Sequence, residues 1–196
     1  MKTINIGQYI INVDADATRR AYSGYNTPGP ESCKCGYCNN WVEARKLFKD
    51  ESFVDLLSSM GIPYGYEIEV CEVSGKDSPH MYSGWYIFIG DFEVIDGSEN
   101  HSHEVGPYEI RLSKGLSYPV EEFPKEGVSE LHFFIQTQWY LKKQDPNTVT
   151  KKNQNRIYAV QYFCRSYFKK EKTLNNIKTK MQTDDFRYYY ILSETL

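Results

Sequence analysis

Between residues 14 and 141 the hydrophobic period of this chain changes once, and that change constrains its fold more than any other feature. Upstream of Gly61, apolar residues recur at the helical spacing of about 3.6; downstream they alternate with the strand period of 2. Asp14 can accept a hydrogen bond from the free amides of a helix over residues 15–22. A second helix is expected from Asn39 or Asn40, with Trp41, Ala44, Leu47 and Phe48 on one face. A third spans residues 53–60, carries Phe53, Leu56, Leu57 and Met60, and stops at Gly61. Ahead of them, Ile4 and Ile6, a turn at Gly7-Gln8, and residues 9–13 read as a hairpin, while the prolines and glycines of residues 23–30 forbid regular structure.

Past Gly61, Glu67-Ile68-Glu69-Val70 alternates as a strand with one solvated face. Residues 81–89 are apolar on both faces, which marks a central strand. Tyr108, Ile110 and Leu112 form one face of another strand, and Leu131, Phe133, Ile135, Thr137 and Trp139 one face of the next. Turn residues, not helices, separate these runs. The order predicts an α+β fold: a mostly antiparallel sheet with N-terminal helices packed on it.

Charge divides the chain a second time. Residues 1–141 hold 11 basic and 21 acidic side chains, whereas residues 142–182 hold 11 basic and two acidic. We read residues 1–141 as an acidic α+β body and residues 142–196 as a basic, aromatic-rich, largely helical C-terminal extension. With 40% hydrophobic and 15% aromatic residues the chain can fill a core. No apolar run is long enough to cross a bilayer, and residues 1–5 do not open a secretory signal, so a cytoplasmic protein without a membrane is expected.

Cys33-Lys34-Cys35-Gly36-Tyr37-Cys38 is the most chemically pointed stretch. Three soft ligands on a short glycine-containing loop can converge on one ion, and a following helix N-terminus stabilises thiolates. Zinc is the expected metal, with a fourth ligand from outside the loop. Cys71 matches chemically, and His80, His101, His103 and His132 are the imidazole alternatives. Two further readings stand beside it: a redox or catalytic thiol in Cys35-Gly36-Tyr37-Cys38, and small side chains that merely anchor a loop. The redox reading lacks the apolar strand that leads into thioredoxin-like motifs, because residues 28–32 precede the cysteines.

Pro28-Gly29-Pro30, Cys33-x-Cys35-x2-Cys38-x-Asn40-Trp41, Met60-Gly61-Ile62 and Tyr82-Ser83-Gly84-Trp85-Tyr86 resemble a group of uncharacterised bacterial proteins. These carry a C-x-C-x2-C-x-N-aromatic motif and a following glycine-tryptophan-tyrosine strand. The resemblance covers roughly residues 1–141 and carries no activity. Some members are similar in size and style to immunity proteins of bacterial toxin systems.

The basic segment interleaves Lys151, Lys152, Arg156, Arg165, Lys169 and Lys170 with aromatic rings, a pattern suited to phosphates and bases. Nucleic-acid binding through residues 142–182 is therefore an alternative, as is a metal- or thiol-dependent enzyme at the cysteines. No phosphate-binding glycine loop, nucleophile elbow or H-E-x-x-H helix is present, and no carboxylates pair as acid and base. The leading expectation is a macromolecule-binding protein, immunity- or inhibitor-like, whose acidic, tyrosine-rich body meets a basic protein partner.

Overall fold

Residues 81–89, expected at the centre of a sheet, lie there in the computed structural model, which describes residues 1–33, 35–74, 79–95 and 102–142. The chain opens with a hairpin of β1 (Lys2–Ile6) and β2 (Tyr9–Val13), turning at Gly7-Gln8 as expected. Helix α1 (Ala15–Gly24) follows, capped by Asp14, whose Oδ1 accepts from the Ala17 N–H at 2.9 Å. Then come the single turn α2 (Gly29–Ser32) and the helices α3 (Gly36–Leu47) and α4 (Glu51–Ser59). The remaining elements are strands: β3 (Glu69–Glu72), β4 (His80–Val94), β5 (His103–Val105), β6 (Tyr108–Lys114) and β7 (Val128–Thr137). The sheet runs β1-β2-β4-β7-β6-β5, with β3 also on β4, and each pairing is antiparallel. The architecture is α+β.

Strand β4 organises the sheet because its two edges are used differently. One edge pairs β7 from His80 to Ile89. The other pairs β3 over Tyr82–Trp85 and β2 over Gly90–Val94. Between those partners two amides face no strand. Helix α1 supplies the acceptors: the Ile87 N–H donates to the Tyr22 hydroxyl at 2.9 Å and the Ile89 N–H to Thr18 Oγ1 at 3.0 Å. A buried amide left alone would cost about 1–3 kcal/mol, so these hydroxyls stand in for a missing strand. Gly90, at φ 151°, marks the handover from β3 to β2, and a Cβ there would run into the Asn12 carbonyl oxygen.

The helices cover the face of the sheet that carries Tyr82, Tyr86, Tyr108, Leu131 and Phe133. Trp41 of α3 stacks on Phe133, centroids 5.3 Å apart, and Phe53 of α4 stacks on Tyr108 at 3.9 Å. These rings are almost wholly buried and form the centre of the core.

Two expectations about the helices differ from the structure. Residues 29–32 form a helical turn, because Pro30 near its start needs no amide partner there. Helix α3 begins at Gly36 rather than at Asn39 or Asn40, because Cys35 caps it: its Sγ accepts from the Cys38 N–H at 3.4 Å. Asn40 is thereby freed for another task. Fully buried, it donates to the Tyr82 hydroxyl at 3.0 Å and the Gln138 carbonyl at 3.1 Å, and accepts from the Tyr140 N–H at 2.6 Å. It fastens the segment after β7 to the helix. The C-terminal extension expected from residue 142 onward lies outside the described residues, apart from Lys142 itself.

Candidate metal centre

The cysteine loop is held against the open edge of β3. That strand pairs β4 through Glu69 and Cys71, which leaves the Val70 carbonyl pointing outward. Gly29 crosses just ahead: its N–H donates to the Glu67 carbonyl at 3.0 Å, and a Cβ there would collide with the Ile68 carbonyl oxygen. Only glycine lets the backbones approach so closely. Cys33 closes the α2 turn with its N–H on the Gly29 carbonyl at 3.1 Å. Cys35 caps α3, and Cys38, in its first turn, is buried with Sγ 4.0 Å from the Val70 carbonyl oxygen. The three sulfurs all lie within 4.8 Å of one another. Sulfurs so gathered, at the positive end of a helix, could hold a metal ion.

Aromatic rings line the buried side of this cluster, while Cys33 and Cys35 are half-buried. The Tyr82 hydroxyl donates to the Tyr37 carbonyl at 3.1 Å. Burial pushes the Tyr82 pKa well above its ordinary value; the bond from Asn40 lowers it, and the charges of Glu72, Cys38 and Cys35 add to the rise. His80 packs against Tyr37 and Trp139, with centroids 6.3 and 5.3 Å away. Its Nδ1 lies 3.1 Å from Glu72 Oε1, and both side chains are almost completely buried.

None of the other expected ligands among the described residues joins the three sulfurs in one cluster. Cys71 pairs Ser83 on the opposite face of β3, where its thiol donates to Glu69 Oε1 at 3.6 Å. Burial raises the Glu69 carboxyl to about 7, and the Cys71 bond opposes that rise. His103 opens β5 beside the Gly7 turn. His132 stands on the same face of the sheet as Cys71, its Nε2 2.9 Å from Ser113 Oγ and 3.1 Å from Glu130 Oε2. Serine and acid share that one nitrogen, so the acid does not orient the ring from its far side as a nucleophilic triad needs. Burial alone would raise Glu130, but the bonds from His132 and Ser117 outweigh it and hold the carboxyl below its ordinary range. His101, and with it Lys151, Lys152, Arg156, Arg165, Lys169 and Lys170, lies outside the described residues.

Two buried carboxylates were not anticipated as inward-facing. Glu67, expected on a solvated strand face, is fully buried and accepts from Trp41 Nε1 at 3.2 Å, the Tyr86 hydroxyl at 3.1 Å and Arg45 at 2.6 Å. Arg45 also pairs with Glu31. Burial still raises the Glu67 carboxyl, with Arg45 opposing. An open groove of about 500 Å³ beside Tyr64 and Tyr66 is lined by Arg45, Lys46 and Lys49, yet its innermost cation is already neutralised by these two glutamates. Glu72 carried a readable signal: the period of 2 puts it on the same face as Ile68 and Val70, which are core residues.

No protein-family model, curated protein or solved structure matches this chain. Among the described residues no helix is long and apolar enough to cross a membrane.

Proposed function

We propose that Cys33, Cys35 and Cys38 hold one zinc ion as a structural pin in a protein that works by binding another macromolecule. The observation that carries the metal is the mutual approach of three sulfurs within 4.8 Å at the start of α3. Three soft sulfur ligands that close to one another can share one divalent cation. Zinc suits them because it accepts sulfur ligands and tetrahedral angles and has no redox chemistry of its own. Its task at this place is mechanical. A metal on the loop would clamp α2 and the start of α3 to the outer edge of β3, protecting an edge that otherwise invites pairing with another chain.

The binding role rests on the charge of the sequence. The acidic excess of residues 1–141 favours fast, steered association with a basic protein, as an immunity- or inhibitor-like role would require. Native mass spectrometry of the full chain tests the metal: one zinc per chain is expected, lost on treatment with a strong chelator together with thermal stability. A chain purified without metal that takes up no added zinc would overturn it. Affinity capture at low and moderate salt tests the partner, with a basic protein released as ionic strength rises; turnover of a small molecule by a protein that captures no partner would end the binding role.

A further inference from the structure

Resting on the zinc reading, we propose that the fourth ligand is the carboxylate of Glu72, an oxygen completing three sulfurs. Glu72 Oε2 is the one buried side-chain polar atom among the described residues with no hydrogen-bond partner. Its twin, Oε1, takes His80 Nδ1 at 3.1 Å and the Ser74 hydroxyl. The side chain is 1% exposed, so water does not meet the need of the second oxygen freely. A buried carboxylate oxygen without a partner is costly, and such an atom in a native structure calls for an ion or a bound water.

Its position favours the ion at the cysteines. Glu72 stands directly across from Tyr82 on the helix-covered face. The Tyr82 hydroxyl is bonded to Tyr37 and Asn40, both in the helix whose first turn carries Cys38. On β3, Val70 is the preceding residue on Glu72's face, and its carbonyl is the group that meets the Cys38 thiol. Neighbours on one strand face lie about 7 Å apart, within the span of a glutamate side chain. Glu72 is not among the residues whose ligand atoms lie within 4.8 Å of one another, so ligation takes a rotation about its own side-chain bonds. His80 would hold the other oxygen, as partners outside the ligand shell commonly orient ligating carboxylates. The resulting set has the same formal charge as a four-cysteine zinc site.

Cobalt(II) titration of the full chain, followed by zinc competition, reads the ligand set directly. The wild-type chain should give a tetrahedral spectrum of three sulfurs and one oxygen. Glu72→Gln, which keeps the shape of the side chain, should weaken zinc binding at least tenfold. Glu72→Cys should instead bind tightly and move the spectrum to that of four sulfurs, a gain that a damaged fold would not produce. Unchanged affinity and spectrum in both variants would overturn Glu72 as ligand while leaving the zinc site standing. Loss of metal in His80→Gln but not in Glu72→Gln would transfer the role to His80 and overturn the proposal. A wild-type chain that binds neither ion would overturn the zinc site itself.

Discussion

Glu67 and Glu72 lie near the two ends of β3, both sealed beneath the helices, yet their surroundings differ. Glu67 meets an indole N–H, a phenol and a guanidinium, so every demand of its charge is met by the chain. Glu72 meets an imidazole and a hydroxyl on one oxygen and nothing on the other. A buried carboxylate with a full set of donors fastens a fold together. One with an oxygen left unpartnered has a demand that a cation can meet. The same residue type therefore serves two purposes, and the donors around it decide which.

The largest effect expected from this contrast is at Glu67. Glu67→Ala should cost about 3–5 kcal/mol, because it leaves the buried Trp41 and Tyr86 donors without an acceptor and takes from Arg45 one of its two carboxylates. Urea unfolding in the presence of a chelator measures it. Glu72→Ala under the same conditions should cost clearly less; equal costs would erase the distinction between the two pockets.

Zinc should then separate them from the other side. At free zinc about 100-fold above its dissociation constant, the wild-type chain should gain about 2.7 kcal/mol. Glu67→Gln should keep that increment and Cys35→Ser should lose it. Calorimetry with and without chelator checks this, and an increment that survives in Cys35→Ser would detach the metal from the loop.

The smallest effect concerns Glu69, on the other face of the same strand. Its folded carboxyl titrates at about 7, raised by burial. The unfolded carboxyl titrates near about 4.3, so the folded state holds the proton more tightly. Its contribution to stability is thus complete below the unfolded value and is lost as pH rises through the folded one. Glu69→Gln should match wild type near pH 4 and exceed it at pH 8 by on the order of 1 kcal/mol, after discounting for partial exposure. Denaturant midpoints across that range would show it; parallel curves for the two proteins would mean that Glu69 is solvated like an ordinary surface carboxylate.

Much of the fold was readable because it depends on short-range periodicity. Asp14 capped the expected helix, Phe53, Leu56 and Leu57 faced inward, and β6 and β7 followed their alternation, whereas Glu67 did not. The start of α3 was not readable from its asparagines, since a sulfur did the capping and Asn40 was needed in the core. Trp139, expected to continue the inner face of the last strand, comes after β7 ends and packs against Tyr37. For the site, the grouping of Cys33, Cys35 and Cys38 was visible because only six residues span them. Cys71 matched them by chemistry, and its alternation had already put it on the face of Glu69, where its thiol is found.

The amino-acid sequence by itself determined where helices give way to strands and that three thiols share one short loop. Both are properties of neighbours along the chain, fixed by backbone geometry. Only the tertiary structure decided which edge that loop covers, that Glu67 finds Trp41, Tyr86 and Arg45, and that Glu72 is left with an unpaired oxygen. A buried charge is settled by the donors that reach it, and here those donors come from segments far apart in sequence.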